Sequence, residues 1–250
     1  MAQLVCTDID GTILNKDRRL SDLTLHVIAA MRDRGIPVIL ASGRGPASMQ
    51  EFHQLIGGAY PMVSHNGAFV LSDGSDYDAV IRRSVIALPI VQEVIRMSSL
   101  LTAHCSLFVR HDWFVPNLDP WANREITAVR SLPTIANYDE LLYRWDSNYE
   151  GVQKMMCMGE ASHIDQLERR LRKLYGKELN IYRSDSFYIE MVASDSDKWE
   201  GIKAAAEYMG LDPKESIAFG DNYNDLRMLQ EAGIGVAVAN AIEEVKAAAN

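Results

Sequence analysis

Leu4 to Thr7 is a short apolar, β-branched run that stops at Asp8 and, three residues later, Gly11. A run of that length bounded by turn residues predicts a strand buried on both faces. From Ser21 to Arg34 the apolar residues fall at Leu25, Ile28, Ala29 and Met31, with Ser21 placed to cap and Gly35 just past the end, so a helix follows. Residues 36–41 read as a second strand ending at Ser42 and Gly43, and residues 61–64 as a third ending near Asn66 and Gly67.

The same grammar returns late in the chain. A helix is predicted over 199–209, closed by Gly210, then a strand over 216–219, a helix over 224–232 and a strand over 234–238; residues 239–250 read as a short helix. Strands alternating with helices predict an α/β fold with a Rossmann-like parallel-sheet core. Residues 83–188 differ in texture, with a hairpin-like alternation over 105–115, three or four helices and a strand over 152–158. They predict an inserted α/β domain between two core segments, 1–82 and 189–250. One inserted helix is well marked: Ser162 as its cap, Ile164, Leu167, Leu171 and Leu174 as its apolar stripe, Gly176 as its stop.

Composition narrows the function classes. Apolar residues make up 48% and charged residues 24% of 250, a globular balance. The net charge is −9, and basic residues cluster only at Arg169, Arg170, Arg172 and Lys173 on the helix just described, which excludes nucleic acid as a partner on electrostatic grounds. Apolar runs fall far short of the roughly 20 residues a bilayer span needs, and no basic-then-apolar leader opens the chain, so a cytoplasmic protein without a membrane partner is expected. Cys6, Cys105 and Cys157 are too widely spaced for a disulfide framework or a CxxC metal site.

In an open α/β sheet, ligands bind outside the carboxyl ends of the strands. There the sequence carries Asp8-Ile9-Asp10-Gly11-Thr12, Ser42-Gly43-Arg44 and Gly220-Asp221-Asn222-Tyr223-Asn224-Asp225. Asp8, Asp10, Asp221 and Asp225 are expected to converge, with Asp8 and Asp10 on one side because side chains alternate along a strand. Raised pKa values or a bound cation would relieve their repulsion, and hard oxygen donors without histidine or cysteine favour magnesium. A carboxylate beside magnesium and loosened backbone amides is placed to attack phosphorus. Each fragment alone has a plainer reading: a turn at Asp8 to Gly11, a structural cap at Ser42, helix-start acids at Asp221 and Asp225, a solvated charge at Lys198. Their joint occurrence in order favours chemistry.

These residues together resemble the haloacid dehalogenase-like hydrolases, and within them the Cof-type sugar-phosphatase branch. The resemblance rests on DxDGT at Asp8 to Thr12, the strand-ending Ser42, Lys198 before Trp199, GDxxND at Gly220 to Asp225, and Asn66-Gly67-Ala68. It implies that Asp8 is the nucleophile and Asp10 the general acid and base. It further implies magnesium on the Asp8 and Asp221 carboxylates and the Asp10 carbonyl, with Asp225 in support. Ser42, Lys198, the amides of Ile9 and Gly43, and Asn224 would hold the phosphoryl oxygens. Arg44 would contact substrate or brace its loop, and His65 is read as a loop residue outside the catalytic set. The insertion would be a large cap that selects a small phosphorylated metabolite, a sugar phosphate. Residues 110–113 and Trp121 read as hairpin tip and core anchors, and the methionines as core fillers. A phosphomutase on the same core and a non-catalytic sugar-phosphate-binding module stay open as alternatives.

Overall fold

The computed structural model describes residues 2–147 and 151–250. Contacts divide the chain into two compact units, Met1–Arg83 with Asp197–Asn250, and Ser84–Ser196. In chain order the first unit begins with β1 (Leu4–Thr7), α1 (Asp22–Asp33), β2 (Val38–Ala41), α2 (Pro46–Leu55), β3 (Met62–Ser64), β4 (Phe69–Leu71) and β5 (Val80–Arg83). The second unit carries α3 (Leu88–Leu100), β6 (His104–Val109), β7 (Asp112–Val115), α4 (Pro120–Val129), β8 (Thr134–Ile135), α5 (Tyr138–Ser147), β9 (Lys154–Met158), α6 (Ala161–Tyr175), β10 (Leu179–Asp185) and β11 (Tyr188–Ala193). The chain returns to the first unit with α7 (Lys198–Tyr208), β12 (Ser216–Gly220), α8 (Leu226–Glu231), β13 (Ile234–Ala237) and α9 (Glu243–Ala248).

The first unit is built on a seven-stranded sheet in the order β13-β12-β1-β2-β3-β4-β5. From β13 to β3 neighbouring strands run parallel, and β4 and β5 extend the edge antiparallel. All four β1 residues are buried because helices cover both faces, as a parallel sheet requires. Leu4 and Cys6 pack with Trp199, Ile202, Met228 and Leu229 from α7 and α8, and Val5 packs with Ile28, Met49 and Phe52 from α1 and α2. Ser21 caps α1 by accepting from the Thr24 amide at 3.1 Å.

The second unit is a six-stranded sheet, β10-β11-β9-β6-β7-β8. Cys105, Leu107, Met155 and Met191 face α3, α5 and α6, while Phe108, Trp113, Met156 and Met158 face α4. Trp113 is buried and stacks on Phe108 at 5.8 Å, the half-buried Trp121 packs at the edge of the same cluster and stacks on Phe187 at 5.9 Å, and Arg110 forms the hairpin turn with φ +54°.

Two expectations are corrected. The inserted unit runs to Ser196 rather than 188, because β11 pairs with both β10 and β9 and cannot leave their sheet. The helix α6 starts at Ala161 with Glu160 in the capping position and no side-chain cap bond, so Ser162 lies inside the first turn. Among the described residues no helix is long and apolar enough to cross a membrane.

Candidate active site

Register places the site. Thr7 on β1 sits opposite Leu40 on β2 and Phe219 on β12, so Asp8, Ser42 and Asp221 follow strand ends that lie side by side. The Asp8 amide still donates to the Phe219 carbonyl at 3.0 Å, which fixes the backbone at the point where the side chain leaves the sheet.

Lys198 is the first residue of α7, fully buried, and its ammonium donates to Asp8 Oδ1 at 2.5 Å and Asp225 Oδ1 at 2.6 Å. Its position is set from behind. Asp197 caps α7 through the Glu200 amide at 2.9 Å, and Arg227 grips Asp197 and Glu200 at 2.5 and 2.7 Å. Gly67, with φ +84°, lies so close to this helix start that a Cβ would meet the Asp197 carbonyl oxygen at 1.9 Å. Glycine is required there on both steric counts. Its neighbour Asn66, at φ +52°, accepts from Asn224 Nδ2 at 2.9 Å, tying this turn to the loop after β12.

Asp225 is buried and braces that loop: Oδ2 accepts from the amides of Asp221 and Asn222 at 2.9 and 3.1 Å, while Oδ1 takes Lys198. Asp221 accepts from Thr12 at 2.8 Å, and Gly11 makes room, since a Cβ there would lie 2.4 Å from Asp221 Oδ2. Carboxylate oxygens of Asp8, Asp221 and Asp225 lie within 4.8 Å of one another.

Burial pushes the Asp8 carboxyl well up; Lys198 opposes this, but Asp225 and Asp221 add to it. Burial likewise raises Asp221, against the Thr12 hydrogen bond. For Lys198 burial works downward, yet the charges and hydrogen bonds of Asp225 and Asp8 outweigh it and raise the ammonium above its ordinary value. One ammonium thus faces three carboxylates. The negative surplus, the oxygen-only donor set and the close spacing of Asp8 and Asp221 fit a hard divalent cation.

Asp10 departs from expectation: its carboxylate lies outside this acidic cluster. Strand alternation ends at Thr7, and residues 9–13 coil, with Asp10 at φ −81°, ψ 119° and Gly11 at φ +85°. The Asp10 carboxylate meets Arg44 instead, at 2.6 Å from Nε and 2.8 Å from Nη2, and Arg18 at 2.7 Å. Burial raises its carboxyl, but Arg44, Arg18 and Lys198 together bring it below the ordinary value.

Of the remaining expected residues, Ser42 is buried and accepts from the Arg44 amide at 3.2 Å, and its carbonyl accepts from the Asn66 amide at 2.9 Å. Gly43 lies on the same loop, Ile9 is fully buried beside Asp8, and Asn224 commits one donor to Asn66. His65 is buried behind Gly45, where a Cβ would lie 2.9 Å from its ring. Sequence reasoning gave no role to Thr12, Arg18 or Asn240, whose Nδ2 donates to the Gly11 carbonyl at 2.8 Å. Thr12 was visible as the end of DxDGT and Asn240 as the start of an Asn-Ala segment, whereas Arg18 sits in no pattern.

Residues 5–250 match the haloacid dehalogenase-like hydrolase family. A 5-amino-6-(5-phospho-D-ribitylamino)uracil phosphatase of Bacillus subtilis is 29% identical over 257 residues, covering 99% of this chain and 90% of that protein. A phosphoglycolate phosphatase of Methanopyrus kandleri is 27% identical over 247 residues, covering 98% and 88%. Among solved structures, a haloacid dehalogenase-like hydrolase from Bacteroides thetaiotaomicron superimposes with a TM-score of 0.85 at 26% identity, covering 100% of this chain and 93% of that one.

Proposed function

The chain belongs to the haloacid dehalogenase-like hydrolases and is a phosphoric monoester hydrolase, and from that premise we propose that it hydrolyses a small sugar phosphate through an aspartyl-phosphate on Asp8. The observation that carries this reading is the fixed Asp8 carboxylate, buried at the end of β1 with Lys198 on one oxygen and the Asp221 and Asp225 carboxylates beside it.

In the first half-reaction an Asp8 oxygen bonds to phosphorus while the bond to the leaving oxygen breaks, and Asp10 gives that oxygen a proton. In the second, water attacks phosphorus, Asp10 takes its proton and the bond to Asp8 breaks. Lys198, Ser42, Asn224 and the amides of Ile9 and Gly43 hold the transferring oxygens, whose charge needs fixed donors in the transition state. Asp8, Asp221 and the Asp10 carbonyl would hold magnesium, which when bound neutralises phosphoryl charge. Asp225 acts by fixing Lys198 and the Asp221 backbone. The inserted unit selects the substrate. A ribityl phosphate in the name of the B. subtilis relative supports the sugar-phosphate class. The three buried free cysteines support a reducing, cytoplasmic setting.

Phosphate release over a panel of sugar phosphates and phosphoglycolate, with magnesium, tests this reading. Asp8→Asn should abolish release; magnesium-dependent release persisting in that variant contradicts it, and an isomerised phosphate ester as product would favour a mutase.

A further inference from the structure

Asp10 lies between two arginines of different character. The Arg44 side chain is enclosed, 6% exposed; besides both Asp10 oxygens it reaches the Ser48 carbonyl at 3.4 Å, and its guanidinium lies 5.4 Å from the Phe52 ring centroid. It is a fixed wall. Arg18 is 47% exposed and adds a second donor to Asp10 Oδ1, from Nη2 at 2.7 Å.

The Arg18 contact is built by its loop. Asn15 and Arg19 close the loop at 2.9 Å, the Arg18 amide donates to the Asn15 carbonyl at 2.9 Å, and Asn15 Oδ1 accepts from the amides of Asp17 and Arg19 at 3.0 Å each. Arg18 itself stands at φ +57°, a conformation that non-glycine residues adopt only when their surroundings impose it. The chain thus holds Arg18 in a disfavoured backbone state that delivers its side chain to Asp10.

We propose that Arg18 is a positioning residue for the phosphatase reaction: with Arg44 it fixes the Asp10 carboxyl group in one orientation for proton transfer to the leaving oxygen and, later, from the attacking water. This rests on the reading of Asp10 as the proton carrier. Arg44 holds one donor on each oxygen, and Arg18 adds a second on Oδ1, so three donors from two sides fix the plane of the carboxyl group. Proton transfer depends steeply on such placement.

The test compares two substrates with the full chain and magnesium. The alkoxide of ribose 5-phosphate needs a proton as it leaves; nitrophenolate from p-nitrophenyl phosphate does not. Arg18→Ala should lower kcat on ribose 5-phosphate about tenfold relative to kcat on p-nitrophenyl phosphate, with KM little changed, and Arg18→Lys should recover part of that ratio. A wild-type ratio in Arg18→Ala, an equal fall on both substrates, or a change confined to KM overturns the role of Arg18. Asp10→Asn separates the two layers. Loss of ribose 5-phosphate turnover in Asp10→Asn sustains the proton-carrier reading, whereas full retention overturns that reading whatever Arg18→Ala does.

Discussion

Each unit of this molecule buries a lysine against acids, and the two burials mean different things. Lys154, on β9, donates to Glu190 on β11 at 2.8 Å and stands 4.3 Å from the Phe108 ring centroid, along the face of a sheet. Lys198 stands at the ends of strands, between Asp8 and Asp225, with Asp221 adding a third carboxylate. Among the described residues, only Asp8, Asp221 and Asp225 form a group of three metal-ligating side chains close enough to share a cation. A buried ion pair on its own is an ordinary packing device. An acidic surplus at the carboxyl ends of a parallel sheet marks a site, because it is costly until a cation offsets it.

The largest effect that separates the two lysines comes from truncation. Lys198→Ala should cut kcat by about a thousandfold or more, as loss of a fixed donor to the transferring group does, and cost about 3–5 kcal/mol in urea unfolding by leaving buried acids uncompensated. Lys154→Ala should cost about 1–3 kcal/mol and leave kcat on p-nitrophenyl phosphate within about threefold. Equal losses of kcat would break the comparison.

Next in size is Gly67→Ala. It forces a side chain into a left-handed turn and against the Asp197 carbonyl, so a melt should show about 3 kcal/mol lost with Lys198 displaced from Asp8. A variant as stable as the parent would show that the α7 start is not braced this way.

Magnesium sharpens the electrostatic half. Burial raises Asp8 and Asp221, so the stability they contribute is present at acid pH and lost as pH rises through their folded values. On the proposed reading magnesium would bind the ionised forms, so its thermal stabilisation should be slight at acid pH and grow toward neutrality, reaching about 2.7 kcal/mol at a hundred times Kd. A gain independent of pH would place the ion elsewhere. The smallest effect belongs to the double variant Lys154→Met with Glu190→Leu, expected within about 1 kcal/mol of the parent in urea unfolding because both charges leave together.

The two regions also differed in how plainly the sequence announced them. β1, β2 and β12 are apolar runs cut off by Asp8, Ser42 and Asp221, and strand ends of that kind are visible in one dimension. β5 is not: Val80–Arg83 holds two arginines in four residues and is partly exposed, so no period marks it. β10 and β11 escaped because polar residues such as Asn180, Arg183 and Glu190 interrupt their apolar positions, and pairing with β9 decides their fate. In the site, Asp8, Lys198, Asp221 and Asp225 meet as the motif order suggested. The Asp10 carboxylate lies outside the acidic cluster because strand alternation does not carry past the end of β1 at Thr7, and Arg18 was invisible because its contact with Asp10 depends on a loop closed by Asn15.

The most direct test of Asp8 as nucleophile is to trap the covalent state. Acid quench during turnover, borohydride reduction of the acyl phosphate and peptide mass spectrometry should find homoserine in place of Asp8 in the parent protein and no such product in Asp8→Asn. Full turnover without modification at Asp8, or modification at another aspartate, would contradict the mechanism.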